Sequence, residues 1–411
     1  MDKEIIENET ISWAQRIKVY FCLKNVQRLL VLIALGFIAF LIMMYSKQSP
    51  WRKAESWTDS SVFRYVAFEM SRGGIPYLDT FDHKGPLLYL INLLGQSIDY
   101  MRGIWLVEYA FMIGTLAAMY KISRLFCGRV ASCVAVLISS KWILDYFQYG
   151  NFTEEYALLP ICLATYFFLD YLLNDRVSRF KILVSGACLA AVLLLRANMI
   201  AIWLVFCVVI FVKCFVKAEW KRMGEFLLFF LVGMCVVFLP VFIWLGVNGA
   251  FDDFIQNYLI FNLTYSTEAG GRALTSAKWN SFVHFFNQDI VLYAVAILLY
   301  LFVKGKHRLL DGSYLVYVFL MFRMLCMSGM QYGHYGMTIV PMLVYPVARF
   351  ISEVENHYKK HKSPLVLALV LYILVPMAMP AWVNAVNNVV QVRENQENSN
   401  YTYAVRKAAA I

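Results

Sequence analysis

Leu29-Leu-Val-Leu-Ile-Ala-Leu-Gly-Phe-Ile-Ala-Phe-Leu-Ile-Met-Met-Tyr45 carries no charged residue. At about 1.5 Å per residue a helix of this run crosses most of a bilayer's hydrocarbon core. A polar stretch precedes it and no small-residue cleavage site follows it, so it reads as a first membrane span and not as a cleaved signal peptide. Working outward, apolar runs broken by charge clusters predict about eleven spans: 29–46, 104–121, 130–147, 155–173, 182–196, 199–215, 226–247, 289–303, 314–329, 335–351 and 364–382. Of the 411 residues 61% are hydrophobic and 16% charged. A soluble domain carries roughly a quarter charged residues, so lipid is the implied solvent. The expected fold class is an all-α polytopic membrane protein.

Lys and Arg in the short loops orient the chain. With the N-terminal segment 1–28 in the cytoplasm, the inner loops hold Lys121, Arg124 and Arg129, then Arg176, Arg179 and Lys181, then Lys213, Lys217, Lys221 and Arg222. Lys304, Lys306, Arg308, Lys359, Lys360 and Lys362 continue the series, whereas the short outer loops near 149–153, 197–198 and 331–333 hold none. The net charge of +10 is therefore mainly a topology signal and does not imply nucleic acid. The expected setting is the cytoplasmic membrane, multi-pass, with the transmembrane domain over 29–382 and a polar extracytoplasmic tail over 383–411. Nine cysteines without a CxxC pair read as small buried hydrophobes.

Two outer segments are long, 47–103 and 248–288. In the first, Val62, Phe63, Val66 and Met70 recur at helical spacing, as do Leu87, Leu88, Leu90, Ile91 and Leu94. Arg72-Gly-Gly-Ile-Pro76 separates them, which predicts two amphipathic helices lying on the outer membrane surface. Charges inside spans are expensive, so their depth is informative. Glu108, Lys141, Asp145, Glu154, Glu155, Arg196, Arg323 and His334 all fall toward one face. A transporter would place such groups near the midplane; this distribution suggests an open site at the outer leaflet. Each has a plainer reading. Lys141 and Asp145 at i, i+4 can neutralise one another, Asp59 can cap a helix, Glu154 or Glu155 can offset a helix dipole, and His334 can be an interfacial hydrogen-bonding residue. Trp57, Tyr77, Tyr149 and Trp279 suit either sugar stacking or interface anchoring.

Trp57-Thr-Asp59-Ser-Ser-Val-Phe63 followed by Gly74-Ile-Pro-Tyr77-Leu-Asp79-Thr-Phe-Asp82-His83-Lys84-Gly85-Pro86-Leu87 resembles the first outer loop of GT-C fold glycosyltransferases. The likeness is to the family 39-like group, which includes protein O-mannosyltransferases, lipid A aminoarabinose transferases and lipopolysaccharide galacturonosyltransferases. In that group an acidic residue follows the first span, and an acidic-Lys-Pro stretch comes some 25 residues later. Asp59 and Asp82-His83-Lys84-Gly85-Pro86 match these, with Gly85 where aminoarabinose transferases have a second Pro. Gly150-Asn-Phe-Thr-Glu154-Glu155-Tyr156, Leu195-Arg196-Ala197-Asn198 and Tyr332-Gly-His334-Tyr335 before Pro341 resemble later elements of the group, with Ala197 replacing a Pro. The resemblance covers residues 25–350.

The resemblance implies GT-C architecture and transfer of a monosaccharide from a polyprenyl-phosphate donor to a cell-surface glycan or lipid-linked acceptor, with inversion. Such a reaction needs cations where a phosphate gains charge and a carboxylate where the acceptor hydroxyl loses its proton. Asp59 is the expected base. Lys84 and Arg196, with Arg323 third, are the expected phosphate ligands. Asp79, Asp82, His83, Glu154, Glu155, His334 and Tyr335 are expected to contact substrate or acceptor. No Asp-x-Asp occurs in the first loop, and a divalent metal remains an open expectation, with Asp82, His83, Glu154 and His334 as its candidate ligands. Two rivals stand beside this reading. A polymerase or ligase using diphosphate-linked oligosaccharides would carry its charged loop late in the chain, and a lipid or glycan flippase would need a polar path through the whole bilayer.

Overall fold

The computed structural model describes residues 24–51, 59–100, 102–175, 178–268, 271–361, 363 and 378–391. The elements are helical: α1 (Lys24–Met43), α2 (Asp59–Ser71), α3 (Pro86–Ile98), α4 (Gly103–Arg124), α5 (Arg129–Tyr146), α6 (Thr153–Asn174), α7 (Arg179–Leu193), α8 (Ala201–Val216) and α9 (Trp220–Val247). Then come α10 (Phe251–Phe254), a π-helical turn (Ile255–Ile260), α11 (Phe261–Glu268), α12 (Gly271–Phe286), α13 (Asp289–Lys304) and α14 (Arg308–Leu325). A 3-10 turn (Gly333–Ile339) leads into α15 (Val340–His361), and α16 spans 378–391.

Ten of the eleven expected spans coincide with a helix; most of the eleventh, 364–382, lies outside the described residues. By length and apolarity five segments among the described residues can cross a membrane: 25–43, α4, α6, α9 and Gly333–His361. The 275–286 and 289–304 helices form a sixth if a 78° bend joins them into one broken span. The expected spans 130–147, 182–196, 199–215 and 314–329 are helices that do not pass on these criteria. Both amphipathic stretches of the first long segment fold as α2 and α3. Pro86 opens α3, where its missing N–H costs no hydrogen bond.

Burial sorts the bundle. In the span windows 78% of the Gly333–His361 segment and 67% of α6 are buried, against 28% of the first span and 22% of α9. The chain thus builds its centre from α4, α5, α6 and α15, and leaves the leucine-rich faces of α1 and α9 outward. α7 and α9 pack backbone against backbone. A Cβ on Gly186 would stand 2.0 Å from the Phe230 carbonyl oxygen, and one on Gly233 would stand 2.0 Å from that of Leu183. Small residues that let backbones meet are how helices pack when lipid is as apolar as their side chains.

The two ends of the bundle differ in chemistry. At one end Lys121 and Lys181 both lie over the Tyr166 ring, Lys213, Lys217 and Arg222 pair with Asp175, and the Gly128 amide donates to Glu355. Glu154 opens the far end of α6, roughly 30 Å from Asp175 at about 1.5 Å per residue.

Replacing Gly186 or Gly233 by Leu should force α7 and α9 apart. The expected cost is about 1–3 kcal/mol, read as a lowered thermal midpoint of the detergent-solubilised protein. An unchanged midpoint would mean that the close contact does not stabilise the bundle.

Candidate functional site

The site begins with two backbone hydrogen bonds. The Gly85 amide donates to the Leu195 carbonyl (3.2 Å) and the Leu87 amide donates to that of Leu194 (3.1 Å). A Cβ on Gly85 would sit 2.0 Å from the Leu194 carbonyl oxygen, so only glycine permits this approach. The contact sets Lys84 beside Arg196, although more than a hundred residues separate them in sequence. The loop leading to it is tied down by its own aromatics. Tyr77 donates to the Lys84 carbonyl at 2.7 Å, and the Tyr89 hydroxyl shares its one hydrogen between Asp82 Oδ2 at 2.9 Å and that carbonyl at 3.2 Å. Asn262 on α11 donates to the His83 carbonyl (2.7 Å) and Asn257 to that of Tyr77 (3.2 Å), so the second long segment clamps the first.

Arg196 follows α7 in extended backbone and ion-pairs through Nη1 with Glu154 Oε1. Its guanidinium lies 4.0 Å from the centre of the Tyr335 ring, a cation–π contact. The Glu154 side chain is only 2% exposed and Thr153 also donates to it, at 2.8 Å. Glu154, Arg196, Asn198 and Tyr335 line the polar part of a small, partly open cleft; Ile161, Met199, Met321 and Leu325 line its apolar part. The buried Oδ1 of Asn198 has no hydrogen-bond partner there among the described residues. His334 is stacked on Phe152, with centroids 4.2 Å apart and planes at 4°, and its Nδ1 lies 3.0 Å from Gln148 Oε1.

Asp59 and Lys84 do not line the cleft itself but lie within electrostatic reach of it. Burial, then the Arg196 charge, holds the Lys84 ammonium below the ordinary lysine range, and the carboxylates of Glu154, Asp82 and Asp59 oppose this. Burial, then the Lys84 ammonium, likewise holds the His83 imidazole down. A neutral His83 fits its contacts: Nε2 lies 3.1 Å from Lys84 Nζ as an acceptor, and Nδ1 faces Asp82 Oδ1 at 3.5 Å.

The remaining expected site residues fall elsewhere. Glu155 turns from the cleft into a buried layer, where its Oε2 accepts from the Asn151 amide at 2.7 Å and its carboxyl faces that of Glu108. Consecutive helical residues point about 100° apart, so Glu154 and Glu155 could not share one direction. Asp79 is exposed and closes a local turn by accepting from the Ile75 amide at 2.7 Å. Arg323 is exposed on α14; Met321 and Leu325, one turn apart, take the face toward the cleft. Lys141 and Asp145 do neutralise one another. Tyr77 is buried against Tyr89 and Phe254, so it offers no open face to a sugar. Tyr149 lies under Lys47, Trp279 is exposed, and Trp57 lies outside the described residues.

Asp82, His83, Glu154 and His334 do not form a metal site. Glu154 is taken up by Arg196 and Asp82 by Tyr89 and a backbone amide, and among the described residues no three His, Cys, Asp or Glu side chains are gathered as a metal would need. Sequence reading gave no role to Gln148, Asn92, Asn198 or Asn151. Gln148, Asn151 and Asn198 are marked only by polarity beside the Tyr149-Gly150 and Arg196-Ala197 turns, and Asn92, inside α3, lacks even that signal.

No family model and no curated protein matches the chain. Among solved structures it is similar to the oligosaccharyltransferase of Archaeoglobus fulgidus crystallised with Zn and sulfate. The TM-score is 0.53 and the identity 16%, over 86% of this chain and 53% of that one. It is also similar to the archaeal oligosaccharyltransferase AglB from Archaeoglobus fulgidus in complex with an inhibitory peptide and a dolichol-phosphate, with TM-score 0.53 and 14% identity over 91% and 56%. Those are GT-C fold glycosyltransferases, and the fold of this chain is of that class. The likeness is one of fold, and the chain spans about half the length of those proteins.

Arg196→Ala should leave the Glu154 carboxylate buried without its cation. A broken buried pair costs about 3–5 kcal/mol, expected here as a lowered thermal midpoint that Glu154→Gln restores in the double variant. A single variant as stable as the parent would show that the pair is not what holds α6 to the end of α7.

Proposed function

We propose that this chain is a GT-C glycosyltransferase of the family 39-like kind, moving a monosaccharide from a polyprenyl-phosphate to a cell-surface glycan or lipid-linked acceptor. The observation that carries the reading is the pairing of two fixed cations, Lys84 and Arg196, beside a cleft whose far wall is apolar. A lipid phosphate has that combination of charge and grease. The similar archaeal structure that holds a dolichol-phosphate supports it.

In the proposed reaction the acceptor hydroxyl loses its proton to the Asp59 carboxylate while its oxygen attacks the anomeric carbon. The bond from that carbon to the phosphate oxygen breaks, and the electron pair leaves with the lipid phosphate. Lys84 and Arg196 stabilise that developing charge more than the ground state, which is what lowers the barrier. Inversion follows from a single displacement. Zn is named for one similar structure; with Glu154 and Asp82 committed to Arg196 and Tyr89, no step is assigned to a metal. The site lies at the end of the bundle opposite the basic loops, which supports a cytoplasmic-membrane protein with the N-terminus inside and this cleft facing out. The name of the similar structures makes a lipid-linked oligosaccharide the second donor to try.

With purified protein and a panel of synthetic polyprenyl-phosphate sugars, released lipid phosphate should report transfer. Asp59→Asn should lower it by about 10²–10⁴-fold without loss of insertion; full activity would remove Asp59 as the base. The lowered pKa of Lys84 adds a sign. Its charge is present at low pH and is lost as pH rises through that lowered value, so the rate should fall on the alkaline side earlier than for an ordinary lysine. Lys84→Arg should move that limb to higher pH, and an unmoved limb would assign it to another group.

A further inference from the structure

Behind the cleft lies a buried polar layer that the proposed chemistry does not use, and it converges on one side chain. Asn151 is 0% exposed. Its Nδ2 donates to Ser60 Oγ and to Asn92 Oδ1, both at 2.8 Å. Its Oδ1 accepts from Asn92 Nδ2 at 3.0 Å and from the Tyr156 hydroxyl at 2.9 Å. Its backbone amide donates to Glu155 Oε2 at 2.7 Å. Both donor hydrogens and both acceptor positions of the carboxamide are therefore engaged. The residue also has φ +61°, in the left-handed region that Asn tolerates better than most side chains.

The partners identify what the amide holds. Ser60 is in the first turn of α2, next to Asp59. Asn92 is on α3, whose first residues follow Lys84. Glu155 and Tyr156 are in the first turn of α6, next to Glu154. Ser60 and Asn92, from two segments far from Asn151 in sequence, and Tyr156, in the helix that begins just after it, are each bound to this one carboxamide, one residue to two helical turns from a charged group of the site. Gln48 extends the layer, donating to Ser60 Oγ at 2.7 Å and accepting from Arg64 at 3.2 Å. We infer that Asn151 is a positioning residue that fixes Asp59 relative to Lys84 and Glu154, without itself touching substrate.

The inference rests on the proposed transfer reaction for its kinetic arm only. Asn151→Ala is expected to lower kcat by about 10- to 100-fold, the range for a misplacement of about 1 Å, while KM for the donor stays within about twofold. Asn92→Ala should act through the same unit, so the double variant should be hardly slower than Asn151→Ala alone. A rise in KM with kcat unchanged, or rate losses that multiply, would overturn the inference.

A second arm needs no activity. Deuterium uptake of the 59–71 peptide should rise in Asn151→Ala while that of 220–247 stays the same; equal uptake would overturn the inference. Should Asn151→Ala fail to insert, Ser60→Ala, which cuts only α2 from the layer, takes its place under the same criteria. Wild-type protein that transfers from no donor would sink the glycosyltransferase reading and leave the exchange arm to decide the role of Asn151.

Discussion

The contact of Gly85 with the Leu194–Leu195 backbone is the constraint on which the charged end of this bundle is built. Two loops from distant parts of the chain meet main chain to main chain, at a separation that leaves no room for a Cβ. Once they meet, Lys84 stands beside Arg196, and like charges so placed need carboxylates around them. Glu154 supplies one by direct pairing with Arg196; Asp82 and Asp59 supply others at longer range. The aromatic residues make the arrangement stiff. Tyr77 and Tyr89 hold the loop by its carbonyl, and the Arg196 guanidinium lies over the Tyr335 ring.

Polar groups in a lipid-facing protein are costly unless each finds a partner. Here the charged groups gather at the two ends of the bundle, with one buried layer behind the cleft. Arg196 and Glu154 face the cleft; Glu155, Glu108, Asn151, Asn92 and Ser60 lie behind it; and buried hydroxyls in the middle of the bundle, such as those of Thr115 and Thr165, donate to carbonyls of their own helices. That segregation lets the same helices satisfy both solvents. It also separates the two neighbouring glutamates at the start of α6, one toward the cleft and the other into the layer behind.

The proposed reading calls for a site at one end of the bundle and not for a polar path along its whole length. The charged groups near α6 end with its first turn, and ion pairs return only at its other end, where Asp170 meets Lys181 and Asp175 meets Lys213. A flippase would require polar groups between those levels. A glycosyltransferase drawing its lipid donor from one leaflet requires only the one face.

The helices were legible in the sequence because apolar runs and charge breaks are local signals. Ten expected spans and both amphipathic stretches of the first long segment have helices at their positions. Arg196 was legible as a cation at one face because charge is costly in lipid and its depth can be counted from the nearest loop, whereas Lys84 was reached through the resemblance of its outer-loop motif. Other assignments depended on direction, which a sequence does not contain. Asp79 and Arg323 carry suitable side chains but are exposed away from the cleft, and Glu155 faces inward because a helix rotates by about 100° per residue. Asn151 had no charge to mark it. Its place is decided wholly by three segments meeting around it, and such a meeting exists only after the chain has folded. Composition and periodicity thus determined the solvent, the helices and the charged end; only the tertiary structure decided which of those charges look at one another.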